Sequence, residues 1–249
     1  GYYDLIVALD GEAINLMLSH YAQKPAKVPF IFSGYENYHP GMRKTYQNMT
    51  GVTQSHDIIS TIKNGLKLMP ETKEVMILSD STPAGQKLEK ELRGKVKLFP
   101  GVKFNFVNDK TYASSQLLQE LKQMPKESFV VLTPWRNIME FGYQTIPAFG
   151  IDLMQYAPGP YYISTSTLLH YGSAGGYMTY GKTLARDTFE LIRRVLEKGT
   201  AEGIPVIPGK VEPVYDYKQL VAHQLFPDIL SSDTIFINAP TSFWREYSI

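Results

Sequence analysis

From Asp4 to Ile237 the chain alternates short apolar runs with stretches whose apolar residues recur every three or four positions, a pattern that few folds accommodate. Asp4-Leu5-Ile6-Val7-Ala8-Leu9 reads as a strand ended by Asp10-Gly11, and Ala13, Ile14, Met17, Leu18 and Tyr21 follow at helical spacing. Further strands are expected at 28–32, 49–53, 74–78, 129–132, 161–163 and 234–237, with Val102, Phe104 and Phe106 alternating as in a half-buried strand. Helical spacing returns from Ile58 to Met69, from Leu117 to Met124, and from Lys182 to Lys198, where Gly199 stands in the place of a C-cap glycine. Such alternation builds a largely parallel sheet covered by helices on both faces, so the fold class expected is α/β.

At 249 residues the chain suits two domains, and 43% hydrophobic with 20% charged residues is ordinary globular composition. Lys and Arg total 25 against 24 Asp and Glu, and no basic run is interleaved with aromatics, so nucleic acid is not an expected partner. Cys 0 excludes disulfides, thiolate catalysis and cysteine-based zinc sites, and fits an oxidising compartment slightly better than cytosol. The five histidines are dispersed, and no phosphate-loop, nucleophile-elbow or dinucleotide string occurs. Neither a metal nor a cofactor is expected.

In open α/β sheets ligands sit outside the carboxyl ends of the strands, so the polar strand exits are the candidate site. Asp80-Ser81-Thr82 before Pro83 offers helix N–H groups and hydroxyls to a carboxylate, and serves equally as an ordinary helix cap. Trp135-Arg136 offers a stacking face and a bidentate fork; the plain alternative is a surface Arg beside a partly buried Trp. Tyr35 and Glu36 suit an amine or an aromatic ring, or belong to a solvent loop. Asp10 and Thr165 occupy two further exits.

These exits, in this order, carry a resemblance. Tyr3 to Ala8 with Asp10, Val28-Pro29-Phe30-Ile31-Phe32-Ser33-Gly34, Asn48 to Val52, and Ile77 to Gly85 are similar to segments of the type I periplasmic binding proteins. So are Gly175-Gly176-Tyr177-Met178, Ile204-Pro205-Val206 and Phe236 to Pro240. The chain resembles the substrate-binding-protein family of ABC transporters, and within it the extracytoplasmic sensor domains of bacterial histidine kinases and diguanylate cyclases. The resemblance implies two Rossmann-like lobes with parallel sheets, residues 1–52 plus 172–205 and residues 53–171 plus 206–249, hinged near 52–53 and 171–172. It also implies a smaller first lobe, because members usually begin with a βαβα unit ahead of the strand that opens this chain.

The function implied is ligand binding without catalysis, in a periplasmic or extracytoplasmic sensor domain. Asp10, Tyr35 and Glu36 from one lobe and Asp80, Ser81, Thr82, Trp135, Arg136 and Thr165 from the other would hold the ligand. The expected partners are a small polar ligand, such as an amino acid or other carboxylate, and a second copy in a homodimer. Membrane contact would come through segments outside these residues, and the aromatic, amphipathic stretch from Phe243 to Tyr247 suits proximity to a membrane surface. A freely diffusing transport receptor is the alternative, and a hydrolase or isomerase on a doubly wound sheet is a third reading.

Overall fold

The computed structural model describes residues 3–23, 28–108, 114–135 and 146–240. The chain divides into two compact α/β units, Gly1–Ser55 with Thr179–Val211 and His56–Met178 with Glu212–Ile249. The first begins with β1 (Ile6–Leu9), α1 (Gly11–Gln23), β2 (Phe30–Tyr35), the single turn α2 (Met42–Thr45) and β3 (Met49–Thr53). The second contains α3 (Ile58–Leu68), β4 (Glu74–Ser79), α4 (Pro83–Lys95), β5 (Lys103–Asn108), α5 (Ser114–Gln123), β6 (Ser128–Leu132), α6 (Ile146–Tyr156), β7 (Tyr161–Ile163) and β8 (Gly175–Thr179). The chain then supplies α7 (Gly181–Lys198) to the first unit, and ends in the second with β9 (Val211–Asp216), α8 (Tyr217–Ala222) and β10 (Ile235–Ile237).

In the first unit β1, β2 and β3 pair in that order, all parallel. Successive residues of β2 point to opposite faces. Phe30 and Phe32 pack towards α1 with Ala8, Ile14, Leu18 and Met49. Ile31 packs the other way with Val52, Leu191 and Val195 under α7. Burial on both faces is why β2 reads as an unbroken apolar run. The outer edge of β3 is closed by Ile207, whose N–H donates to the Gly51 carbonyl at 2.9 Å and whose carbonyl accepts from Thr53 N–H at 3.0 Å. Gly199 ends α7 in the left-handed conformation, φ 74°, as the sequence implies.

The second unit holds a seven-stranded sheet in the order β10-β9-β8-β7-β6-β4-β5, with parallel registers for β10–β9, β8–β7, β7–β6, β6–β4 and β4–β5. Its core joins Val75, Ile77, Phe129, Val131 and Tyr162 to Ile58 and Ile62 of α3. That helix starts at Asp57, whose carboxylate accepts Ser60 N–H at 2.9 Å and Ser60 hydroxyl at 2.7 Å. Among the described residues the sheets have three and seven strands, the inequality that the resemblance implied.

Periodicity misses β8, β9, α6 and α8. β8 opens with Gly175-Gly176, which carry no side chain to signal a strand, and β9 has Pro213 inside it, which ordinarily argues against an inner strand. α8 has six residues, too few for a helical period to register. Residues 172–178, expected in the first lobe, belong to the second unit, where 175–178 form most of β8 between β7 and β9, so the chain changes unit at 178/179.

Candidate functional site

β5 follows β4 in sequence and β6 follows β5, yet β6 lies on the other side of β4. The progression of strands reverses between β4 and β6, and such a reversal opens a crevice at the carboxyl ends. The registers Leu78↔Leu132 and Leu132↔Ile163 align Ser79, Thr133 and Ser164 in one row, with Asp80, Pro134 and Thr165 in the next. At a strand spacing of about 4.8 Å these three exits span about 10 Å, the width of an amino-acid-sized molecule.

Asp80 is fully buried, and its Oδ1 accepts the Thr82 hydroxyl at 2.5 Å and the Thr82 N–H at 3.2 Å. The Thr82 oxygen in turn accepts Gly85 N–H at 3.1 Å and caps α4, with Pro83 in the first turn. Gln86 donates its amide to the Ser81 carbonyl at 2.7 Å. Capping therefore engages Thr82 and one oxygen of Asp80, and leaves a fixed, half-buried rim at Ser81 and Thr82.

Behind this rim Glu89 gathers donors from three elements: Ser79 Oγ at 2.9 Å, Asn108 Nδ2 at 3.3 Å and Arg93 Nε at 2.9 Å. Burial, the largest influence, pushes the Glu89 carboxyl up. The hydrogen bonds from Arg93, Ser79 and Asn108, with the Arg93 charge, together outweigh it and hold the group below the ordinary range.

Across the crevice, the Thr133 hydroxyl donates to the Leu78 carbonyl at 3.0 Å. Ser164 is wholly buried at the end of β7. His56 Nδ1 donates to its carbonyl at 2.8 Å and so anchors its backbone. The Ser164 hydroxyl makes no hydrogen bond among the described residues. A buried hydroxyl without a partner costs about 1–3 kcal/mol, which makes an orphan at a strand exit a candidate for contact with a ligand. The Tyr162 hydroxyl is also buried without a partner among the described residues, while the buried Asn64 amide and Tyr215 hydroxyl face each other. Those two tyrosines belong to the hydrophobic core packed against α3, where burial pushes their pKa values up.

Of the other residues expected at the site, Trp135 is 8% exposed, with its ring tilted at 32° and 5.1 Å from Phe149. Thr165 is half-buried and starts a short 3-10 turn without a side-chain capping bond. Asp80, Ser81, Thr82, Trp135 and Thr165 thus stand at neighbouring exits of one sheet. Asp10, Tyr35 and Glu36 stand at exits of the first unit's sheet. Asp10 is exposed at φ 70°; its Oδ1 accepts Gly11 N–H at 2.5 Å and its carbonyl accepts Ile14 N–H at 3.1 Å, which starts α1. Tyr35 is buried in the first unit's core, its hydroxyl donating to Asn15 Oδ1 at 2.8 Å, and burial, then Tyr46, pushes its pKa up. Glu36 is exposed. Arg136 and the stretch from Phe243 to Tyr247 lie outside the described residues.

Sequence reasoning noted the exit at Ser164 but passed over its hydroxyl, because burial does not show in a Ser-Thr-Ser-Thr run. It missed Asp216, whose Oδ1 accepts Lys218 N–H at 2.9 Å and Gln219 N–H at 3.3 Å, and whose Oδ2 accepts Asn238 Nδ2 at 2.7 Å. This carboxylate caps α8 and ties the end of β9 to the residue after β10. Asp216→Ala removes the cap and leaves Asn238 without that acceptor, so a loss of about 2 kcal/mol is expected in urea denaturation. A change under about 0.5 kcal/mol would contradict this role. A groove of ≈ 590 Å³ lies beside it, lined by Tyr217, Lys218, Val221, Ala222, Asn238, Ala239 and Pro240. That groove is at the outer edge of the sheet and mostly apolar, whereas polar groups align at the β4–β6–β7 exits, which make the better candidate site. Among the described residues no group of three His, Asp or Glu could hold a metal ion, and no helix is long and apolar enough to cross a membrane.

No family model and no curated protein matches the sequence. Solved structures do. A substrate-binding protein with adhesive properties from Clostridium difficile, in its ligand-free, open form, is 11% identical at a TM-score of 0.61, over 95% of this chain and 79% of that one. An ABC domain from Streptococcus pneumonia in complex with L-Trp is 14% identical at 0.62, over 94% and 81%. A conserved domain protein from Vibrio cholerae is 14% identical at 0.62, over 94% and 78%. At these identities the likeness shows the fold, that of the type I periplasmic binding proteins, as the motifs implied.

Proposed function

We propose that this chain binds a small polar ligand, such as an amino acid or another small carboxylate, and serves as the extracytoplasmic sensor domain of a membrane-bound signalling protein. The observation that carries the binding role is the Ser164 hydroxyl, fully buried and without a partner among the described residues, beside the β4–β6 reversal. The substrate-binding proteins and the L-Trp complex that share the fold support the same role. Binding without turnover fits the chemistry here. His56 engages the carbonyl of Ser164 and not its hydroxyl, so those two residues do not form a nucleophile–base pair. The substrate-binding proteins among the similar structures equally favour a second reading, a soluble receptor for an ABC transporter. A membrane span and an output module encoded in the same reading frame would decide for the sensor.

A thermal-shift screen of amino acids, purines and small carboxylates tests binding; a true ligand at about 100 times its dissociation constant adds about 2.7 kcal/mol of stability. Ser164→Ala separates the site from the scaffold. Removing a hydroxyl without a partner should leave the melting temperature unchanged or raised, while calorimetry on the identified ligand shows binding weakened by about 1 kcal/mol, roughly fivefold. Unchanged affinity would remove Ser164 from the site. A panel in which no compound stabilises the protein would count against the binding role.

A further inference from the structure

α7 is apolar over a wider arc than its own sheet covers. Thr188, Leu191 and Val195 are buried against the sheet, but Ala185, Phe189 and Leu196 stand exposed in a second stripe on the neighbouring shoulder, joined by Ile192, which is half-buried and also packs on the core beneath α7. At about 100° per residue these four positions fall within roughly 60° of one another. Phe189 is 69% exposed and Leu196 52%. Apolar surface continues on the same face of the sheet. Ile6 and Ala8 pack towards α1, so Val7 and Leu9 project to α7's side, and Leu9 is 63% exposed.

One residue further round the helix, an exposed row borders the stripe: Arg186, Glu190, Arg193 and Glu197. Its signs run plus, minus, plus, minus. Within one chain Arg193 bridges Glu190 and Glu197, each at 2.8 Å, and Arg186 bonds Asp187 at 3.1 Å. When two helices pack antiparallel about a two-fold axis, the same flank of each meets. Arg186 then opposes the second copy's Glu197, and Glu190 opposes its Arg193. The stripe pairs likewise, Ala185 with the copy's Leu196 and Phe189 with its Ile192. In parallel packing opposite flanks meet, so this row would not face its own copy and its signs would find no partner there.

We infer that the exposed shoulder of α7 is a homodimer interface, formed with α7 of a second copy in antiparallel register. A contact of one helix pair is small beside standard interfaces, so the association is of moderate strength, with a dissociation constant in the micromolar range of about 1–100 µM. Sedimentation velocity on the purified chain from about 1 µM to about 1 mM spans that range. Mass rising from monomer to dimer with concentration is expected. Phe189→Glu should weaken dimerisation at least tenfold while leaving the melting temperature of the monomer unchanged, because the ring is mostly exposed. Glu190→Arg should also weaken it, and adding Arg193→Glu should restore it, since the pair of signs is then exchanged on both copies. The native chain has no cysteine, so cross-linking gives a clean reading of direction. The double variant Ala185→Cys with Leu196→Cys should form disulfide-linked dimers, and neither single variant should link to itself. A monomer over the whole range, a dimer that survives Phe189→Glu, or self-linking of a single cysteine variant would overturn the inference.

Discussion

Gly175→Ala is expected to destabilise the second unit by about 2–5 kcal/mol, read as a lower urea midpoint at unchanged slope. Gly175 sits at φ 112°, and a Cβ there would lie 2.2 Å from the Val214 carbonyl oxygen and 2.5 Å from Tyr215 Cα. Backbone strain contributes about 1–2 kcal/mol and overpacking about 1–3 kcal/mol. The neighbour cannot yield cheaply, because Val214 and Tyr215 are themselves fully buried. Gly94 supplies the contrast. It lies exposed in the helix α4 with nothing within 4 Å of its Cβ position, so Gly94→Ala should stabilise by up to about 1 kcal/mol. If the two variants shift the midpoint alike, the close approach of β8 to β9 is not what the structure shows.

Glu89→Ala is expected to cost about 3 kcal/mol at neutral pH. The carboxylate is 9% exposed, and its removal strands Ser79 Oγ, which is fully buried, and the Asn108 amide. The pH dependence has a definite sign. The folded group titrates below its ordinary value of 4.5, so its contribution is present above that pH and is lost as pH falls through the lower folded value. Urea midpoints of the native chain and Glu89→Gln, measured between about pH 3 and 7, should differ most at neutrality and converge at the acid end. A difference that grows on acidification would show that the carboxylate is not held ionised by Arg93, Ser79 and Asn108.

The elements were legible where a chemical signal is local. Pro83 after Ser81-Thr82 announces α4, and Thr82 is the cap. Gly199 announces the end of α7, and the run Phe30-Ile31-Phe32 announces a strand buried on both faces. Signals failed where the strand depends on its neighbours. β8 is a strand because Gly175 lets the backbone come against Val214, and β9 keeps Pro213 inside it, which no local preference favours.

Among the polar strand exits, sequence determined the inventory: an α/β alternation places Asp10, Glu36, Asp80, Ser81, Thr82, Thr133, Trp135, Ser164 and Thr165 at or just beyond carboxyl ends. It did not determine which of them are neighbours. That follows from the strand order β7-β6-β4-β5, set by pairings between residues far apart along the chain, which brings Asp80, Thr133 and Ser164 to one stretch of sheet. Nor could composition say which polar atoms are already used. Asp80 and Thr82 hold α4, Tyr35 bonds Asn15, and of the two serines that flank Thr165 only Ser164 is fully buried, its hydroxyl without a partner among the described residues. Hydrogen-bond supply and burial are properties of the packed chain, and they set the residues whose polar atoms build the fold apart from Ser164, the residue proposed to meet a ligand.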